Sequence, residues 1–228
     1  MSPILLAGPP GVGKTAYGEA VAKRLGMPFR QIDAASLSAG FALGGLDVGY
    51  TTGKPGLIWD ALQNECMSLL IFIDEIDKAP AERSYPTLSC LYTLLEPVSA
   101  KTFCDDAIGL PLDASWISWI ATANDVDRLD PQLRSRFTVF DIPCPTPNEM
   151  AGVIASVHRT LMASAPWAAS FRADLPRDVA AVLQKMTPRE VTQALPRAYA
   201  AAAEADRDHL LPSDVELRSP VARRFGFL

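Results

Sequence analysis

Five short apolar runs in the first 142 residues have the length of buried β-strands. They lie at Ile4 to Ala7, Phe29 to Ile32, Leu69 to Ile73, Ile117 to Ala121 and Val139 to Ile142. The segments between them are long enough for the crossover helices that parallel strands need. This pattern predicts an α/β fold, a parallel five-stranded sheet with flanking helices.

The pattern changes after Ile142, where three prolines stand at alternate positions, Pro143, Pro145 and Pro147. Proline removes a backbone donor and fixes φ, so this segment predicts a linker. Beyond it, Thr146–Glu149 and Thr187–Glu190 each have the form of a capping box, and apolar residues then recur at helical spacing. We therefore expect an α/β domain over residues 1–145 and a small all-helical domain over residues 146–228.

The amino-acid composition limits which kinds of binding partner are expected. The 228 residues are 49% hydrophobic, and the formal net charge is -5 with both signs interspersed, so nucleic acid is not favoured as a partner. We expect neither a signal peptide nor a membrane span, because no charged leader or apolar run of spanning length can be read. The four cysteines are Cys66, Cys90, Cys104 and Cys144. Their wide spacing does not fit a metal site or a disulfide framework, so we expect free thiols and a location in the cytoplasm.

A glycine-rich loop follows the first predicted strand: Gly8-Pro9-Pro10-Gly11-Val12-Gly13-Lys14-Thr15. It matches the phosphate-binding P-loop, and a helical stretch begins near Lys14, which is the context that the motif needs. Glycines let backbone N–H groups approach a phosphate, Lys14 reaches the β- and γ-phosphates, and the Thr15 hydroxyl serves Mg²⁺. We expect ATP and Mg²⁺ to bind here. The alternative is a strand-to-helix turn that binds no ligand.

Two carboxylates follow the third predicted strand, at Asp74 and Glu75. Both emerge at the edge of the sheet where the P-loop opens. We expect Asp74 to serve the Mg²⁺ shell and Glu75 to orient and deprotonate the attacking water, which favours hydrolysis over binding alone. The alternative is that the pair caps the helix that follows, since acidic residues favour a helix N-terminus.

Asn124 stands just beyond the fourth predicted strand. Its amide would reach the same edge of the sheet, where it can hold the lytic water or the γ-phosphate. We expect it to sense the nucleotide. The alternative is an ordinary turn made by Asn124 and Asp125.

Three arginines are candidates for stabilising phosphoryl charge. Arg136, and after it Arg134, lie before the fifth strand and would act on the nucleotide of a neighbouring subunit. The alternative is a surface pair with Asp130 or Asp141. Arg189 lies in the first turn of a predicted helix, where the dipole disfavours a cation, so its anionic partner is either a nucleotide or Glu190.

In this order, the P-loop, the acidic pair, Asn124, Arg136 and Arg189 resemble the Walker A, Walker B, sensor 1, arginine finger and sensor 2 of AAA+ ATPases. Residues 29–124 are further similar to the ATPase module of Lon proteases. The matching positions are Gly44-Gly45, Tyr50, Pro55-Gly56, Asp74-Glu75-Ile76-Asp77-Lys78, Leu94-Leu95-Glu96-Pro97, Phe103 and Pro111-Leu112-Asp113.

The resemblance implies a P-loop NTPase fold of the AAA+ type with a helical lid. It also implies a ring of six subunits with nucleotide between neighbours and a pore that grips an unfolded polypeptide. Tyr50, followed by Thr51, falls at the position of the pore-loop aromatic; the alternative is an ordinary surface tyrosine. Two features depart from the Lon pattern: Leu46–Gly49 lack the basic residues that usually precede the tyrosine, and Thr52 replaces a glycine.

Three functions follow as hypotheses. The first is a Lon-like AAA+ ATPase that remodels or unfolds protein substrates. The second is a nucleotide-regulated assembly or binding switch with little turnover. The third is the ATPase part of a protease whose peptidase lies on another chain, because we read no serine–lysine peptidase after the lid. The short segment before Gly8 raises the expectation that the sequence is part of a longer chain.

Overall fold

The computed structural model describes residues 1–37, 41–63, 68–80 and 87–215. Contacts divide the chain into two units, Met1–Pro10 with Lys14–Ile142, and Gly11–Gly13 with Pro143–Leu228. Cys66, whose thiol we expected to be free, lies outside the described residues.

The first unit is built on a sheet and short helices. Its strands are β1 (Ile4–Ala7), β2 (Phe29–Asp33), β3 (Leu70–Asp74), β4 (Phe103–Cys104), β5 (Pro111–Leu112), β6 (Ser118–Ala123) and β7 (Thr138–Asp141). Its helices are α1 (Lys14–Leu25), α2 (Phe41–Gly44), α3 (Leu57–Leu62), α4 (Leu91–Leu94), α5 (Pro97–Ala100) and α6 (Pro131–Arg134).

Five strands pair in parallel in the order β2-β3-β6-β1-β7, while β4 and β5 form a separate antiparallel hairpin. The predicted fold class is thereby confirmed. The predicted bounds of β2, β3 and β7 were wrong by one residue, and the largest difference is in β6, which ends at Ala123 and not at Ala121. The strand is longer because its last residues face the ends of β1, with Thr122 opposite Leu6 and Ala123 opposite Ala7, so the ladder continues through a polar residue.

The two faces of the sheet are buried separately. On one face, α1 packs over Leu6, Leu70, Phe72 and Ile120; the residues of β3 and β6 that point the other way join the larger core. Gly18 of α1 lies against the Phe72 ring so closely that a methyl group there would overlap it. This contact brings the start of α1, and with it Lys14, close to the sheet.

The second unit contains four α-helices among residues 143–215: α7 (Pro147–Ser164), α8 (Arg177–Leu183), α9 (Pro188–Glu204) and α10 (Pro212–Val215). Both predicted capping boxes form, since the Thr146 and Thr187 hydroxyls accept from the backbone N–H groups three residues on and the two glutamates bond back. Val179, Leu183, Val191 and Leu195 are fully buried in its core. None of the described helices is both long and apolar enough for a membrane span.

Candidate active site

The carboxyl ends of three adjacent strands meet at one edge of the sheet. Strands β3, β6 and β1 are neighbours, and all three run in the same direction. They deliver Asp74, Asn124 and Gly8 to this edge. The topology therefore brings together the residues that the sequence assigned to the nucleotide site.

The loop after β1 takes backbone conformations that suit glycine. Gly11 and Gly13 have φ values of +81° and +99°, in the region that side chains rarely adopt. Gly8 lies against the Ile142 carbonyl so closely that a Cβ atom would overlap it. Close approach to the Ile142 carbonyl thus requires glycine at Gly8, and the positive φ values favour glycine at Gly11 and Gly13.

Lys14 begins α1 and is 8% exposed. Its ammonium donates to the carbonyl oxygens of Gly8 (2.7 Å) and Pro9 (2.9 Å) and to Oδ1 of Asn124 (3.0 Å). Burial lowers the pKa of Lys14, and the nearby carboxylates of Asp74, Asp77 and Glu75 act in the opposite direction. No carboxylate within the described residues forms an ion pair with this buried cation, and its three N–H donors are occupied by neutral oxygens, one of which a phosphate would have to replace.

Asp74 is surrounded by three hydrogen-bond donors. Its Oδ2 accepts from the Thr15 hydroxyl and from Nε2 of Gln31, both at 3.1 Å. Its Oδ1 accepts from the Thr122 hydroxyl at 2.6 Å. The structure therefore places the Thr15 hydroxyl and the Asp74 carboxylate in direct contact, and both are oxygen ligands of the kind that Mg²⁺ prefers.

Glu75 follows in a left-handed conformation with a φ of 52°. Its carboxylate accepts from Nζ of Lys78 at 2.6 Å and from Nδ2 of Asn124 at 3.4 Å. The hydrogen bond from Lys78 is the main cause that lowers the pKa of Glu75. The alternative role as a helix cap is not observed, because the Glu75 side chain makes no capping hydrogen bond to the 3₁₀ turn that follows. An unusual backbone conformation held by surrounding bonds is a common property of active sites.

Asn124 connects the two sides of the site. Its side chain accepts from Lys14 and donates to Glu75. The Asp77 carboxylate accepts from the backbone N–H groups of Asn124 (3.2 Å) and Asp125 (3.1 Å). A turn does begin here, but the Asp125 side chain starts it, which leaves the Asn124 amide directed at the site.

Thr122 was missed by the sequence reasoning. Its side chain is fully buried in β6, and its hydroxyl donates to Asp74 and accepts from the backbone N–H of Glu75 at 2.9 Å. The Thr122 hydroxyl thus helps to position both Asp74 and Glu75. The local sequence gave no clear signal for Thr122, because Ser118 is a second hydroxyl residue in the same strand. Gln31 and Asp77 were also missed as contacts of the site.

The two arginines before β7 are ion-paired within the chain. Arg134 donates to Asp127 at 2.9 Å, and Arg136 donates to Glu96 at 3.0 Å. The expected alternative partners were wrong: Asp130 caps α6, and Asp141 pairs with neither arginine among the described residues. The guanidinium of Arg136 also lies 5.8 Å from the centre of the Tyr92 ring. Its Nε is buried without a hydrogen-bond partner in the described part of the chain.

Two further predicted residues are exposed, and one of them, Arg189, lies beside Gly11 of the glycine-rich loop, since a Cβ atom at Gly11 would be 3.2 Å from the Arg189 Cβ. Arg189 is exposed in the first turn of α9, and the alternative pair with Glu190 is not seen because that carboxylate bonds to Thr187. Tyr50 is 61% exposed on a loop closed by the bridge between Leu46 and Lys54. Thr51 beside it is also exposed. The roles assigned to these residues stay predictions.

Comparison with known proteins decides the family. The model of the family described as "ATPase family associated with various cellular activities (AAA)" matches residues 4–143. The chain belongs to the AAA family. Among curated AAA relatives, the peroxisomal Lon protease homolog 2 of Caenorhabditis elegans is 33% identical over 140 residues, covering 61% of this chain and 18% of that protein. Lon protease 4 of Sorangium cellulosum is 32% identical over 154 residues, covering 67% and 19%.

The predicted resemblance to Lon is therefore confirmed for the AAA module. The chain spans less than a fifth of the length of these two relatives. Among solved structures, the RuvB Holliday junction branch migration motor of Thermotoga maritima is similar, with a TM-score of 0.63 and 20% identity. The match covers 94% of this chain and 60% of that one, and at this identity it shows the fold alone.

The residues of the AAA site fit a nucleotide with Mg²⁺. The buried ammonium of Lys14 forms no ion pair with a carboxylate of the described residues, and the Thr15–Asp74 pair presents oxygen ligands at the same sheet edge. Lys14 would face the phosphates, and Thr15 and Asp74 would serve the metal shell. When bound, Mg²⁺ would supply charge that neutralises the phosphate oxygens.

Proposed function

We propose that this AAA module hydrolyses ATP with Mg²⁺ and couples turnover to the remodelling or unfolding of a polypeptide. One observation carries the hydrolytic part: Lys14, Asn124 and Glu75 form a continuous chain of hydrogen bonds beside the Thr15–Asp74 pair. A phosphate-facing cation, a metal-facing pair and a carboxylate base are the groups that this reaction needs.

Each residue has a distinct chemical task in the proposed reaction. Glu75 takes the proton of the attacking water as the water oxygen bonds to the γ-phosphorus and the bond to the ADP oxygen breaks. Asn124 holds that water through its amide. Lys14 neutralises the charge that develops on the phosphate oxygens. The hydrogen bond from Lys78 lowers the pKa of Glu75, so the carboxylate is ionised near neutral pH, but it is a weaker base while that bond is formed.

Self-assembly is the second element of the proposal. Arg136 is paired with Glu96 and stacked near Tyr92, yet its buried Nε lacks a partner among the described residues. The Arg136 side chain is 30% exposed, so its guanidinium can exchange the Glu96 carboxylate for an anionic acceptor on another molecule. We propose that the Arg136 guanidinium contacts the nucleotide bound to a neighbouring copy in a ring. The family resemblance implies six copies.

The test of assembly is the rate of ATP hydrolysis per chain as protein concentration rises. We expect the rate per chain to climb for wild type and to stay near zero for Arg136→Ala. Arg128→Ala is the matched control, because Arg128 is an exposed arginine paired with Asp125 and should behave as wild type. A rate that is independent of concentration, with Arg136→Ala fully active, would refute completion of the site by a neighbour.

The polypeptide part rests on Tyr50. A tyrosine that is 61% exposed at the tip of a closed loop, beside Val48 at 70%, presents apolar surface that an extended chain can contact. We expect an unstructured polypeptide, α-casein, to stimulate hydrolysis in wild type and to lose this effect in Tyr50→Ala. Tyr17→Ala is the control, because Tyr17 is a 54% exposed tyrosine on α1. Equal stimulation in all three proteins would refute a gripping role.

A second function, a nucleotide-dependent switch with little turnover, is favoured by one contact. Nζ of Lys78 donates to Oε1 of Glu75 at 2.6 Å, and this bond lowers the pKa of Glu75, which makes the carboxylate a weaker base. The variant Glu75→Gln separates the two functions. If the module turns over ATP, this variant should retain bound ATP and lose hydrolysis, whereas a switch would show the same slow turnover in both proteins.

A further inference from the structure

Asp105 is a buried carboxylate outside the nucleotide site. It follows β4, and its relative exposure is 0%. Its Oδ2 accepts from the backbone N–H of Gly56 at 2.8 Å, and its Oδ1 accepts from the backbone N–H of Ala107 at 2.9 Å. No lysine, arginine or histidine among the described residues forms an ion pair with it. The carboxyl group is therefore held by backbone donors in fixed positions, which makes its geometry specific.

These bonds reach the base of the loop that carries Tyr50, which we define as residues 45–56 and call the Tyr50 loop. Gly45 has a φ of +86°, and a methyl group there would overlap the Asp105 carboxylate. Gly56 lies so close to the backbone N–H of Gly45 that a Cβ atom would overlap it too. The two ends of the Tyr50 loop thus touch each other and the same carboxylate.

The same residue begins the turn between β4 and β5, residues 105–110. The backbone carbonyl of Asp105 accepts from the N–H of Gly109 at 2.9 Å, and the N–H of Asp106 donates to the carbonyl of Gly44 at 2.9 Å. Asp105 therefore belongs to the turn through its main chain and to the Tyr50 loop through its side chain. A displacement of either segment would break the hydrogen bonds of this one carboxylate.

We propose that Asp105 is the positioning residue of the Tyr50 loop and that it joins this loop and the β4–β5 turn into one rigid substrate-facing body. The inference rests on the proposed function, because it assigns the anchored loop to the contact with polypeptide. It extends that function by naming a residue remote from both the nucleotide and the loop tip.

The first test measures hydrogen exchange in Asp105→Asn. This substitution keeps the size of the side chain but replaces one acceptor oxygen with an NH₂ group that cannot accept from an N–H. We expect exchange to rise by about tenfold or more at the amide of Gly56 or of Ala107, whichever loses its acceptor, with the strands of the sheet unchanged. Asp113→Asn is the matched control, because the Asp113 carboxylate accepts from the backbone N–H and the hydroxyl of Ser115, only two positions away in sequence.

The second test compares ATP hydrolysis with and without α-casein. We expect Asp105→Asn to keep the basal kcat and the KM for ATP of wild type and to lose the stimulation by α-casein. A merely structural defect would lower the basal rate as well. Gly45→Ala attacks the same contact from the other side and should give the same pattern, which provides a second variant if Asp105→Asn does not fold.

The outcomes separate the two proposals. If wild type is stimulated, Tyr50→Ala is not, and Asp105→Asn still is, the inference about Asp105 is overturned while the proposed function stands. Unchanged exchange at Gly56 and Ala107 also overturns it. If wild type itself shows no stimulation by α-casein, the proposed function has failed and the role assigned to Asp105 fails with it.

Discussion

Removal of the Thr122 hydroxyl gives the sharpest test of the nucleotide site. The variant Thr122→Val has nearly the same shape but loses two bonds, the 2.6 Å bond to Asp74 and the 2.9 Å bond from the Glu75 N–H. The strand around it is fully buried on both sides of Thr122, so water cannot easily replace the hydroxyl. We therefore expect both stability and catalysis to change.

The magnitude follows from those two bonds. A hydrogen bond to a charged group contributes about 1.5–3 kcal/mol, and a buried N–H without a partner costs about 1–3 kcal/mol. Because the two terms share one hydroxyl, we expect a loss of about 3 kcal/mol in the free energy of unfolding. Displacement of Asp74 and Glu75 by about 1 Å would lower kcat by about 100-fold. The affinity for ATP should change little, because the contacts of Lys14 remain.

Thermal denaturation, steady-state hydrolysis at saturating Mg²⁺ and binding of a fluorescent ATP analogue measure these three quantities. Thr122→Ser should restore most of the activity, since it returns the hydroxyl. Thr138→Val is the control on an exposed strand position of β7. If Thr122→Val remains folded and hydrolyses ATP at the wild-type rate, the hydroxyl does not position the acidic pair and the reasoning is refuted.

Further predictions concern stability. Gly18→Ala should lower the free energy of unfolding by about 1–3 kcal/mol because its methyl group overlaps the Phe72 ring. Gly152→Ala should raise the free energy of unfolding by about 0.5–1 kcal/mol, because Gly152 lies on α7 with open space around it. Equal denaturant midpoints for Gly18→Ala and Gly152→Ala would contradict these two predictions. Burial lowers the pKa of His158 below its ordinary 6.5, so the unfolded state binds more protons and stability should fall below about pH 6.5. His158→Gln should flatten that pH dependence in urea titrations, and an unchanged slope would assign it to other groups.

The sequence predicted the groups of the nucleotide site because their order along the chain follows the order of strand ends. Gly8, Asp74 and Asn124 each come directly after an apolar run, and parallel strands place such residues at one edge. Their mutual distances could not be predicted. Lys14 and Asn124 are 110 positions apart and meet at 3.0 Å only because β1 and β6 are adjacent.

The residues that were missed or misassigned share a cause. Thr122 and Asp105 are buried polar residues whose partners are backbone groups far away in sequence, at Glu75 and Gly56. Nothing in their local sequence distinguishes them from an ordinary threonine in a strand or an aspartate in a turn. Likewise, the pairing of Arg136 with Glu96 depends on how the segment before β7 folds against α5.

The sequence by itself determined the local features of this protein, because these depend on near neighbours. They include the strands, the two capping boxes, the glycine-rich loop and membership of the AAA family through its motifs. Only the tertiary structure decided which side chains share a hydrogen-bond network and which carboxylates are buried. Those outcomes arise from strand order and close packing, where a single backbone N–H or a missing Cβ decides whether a polar group is satisfied.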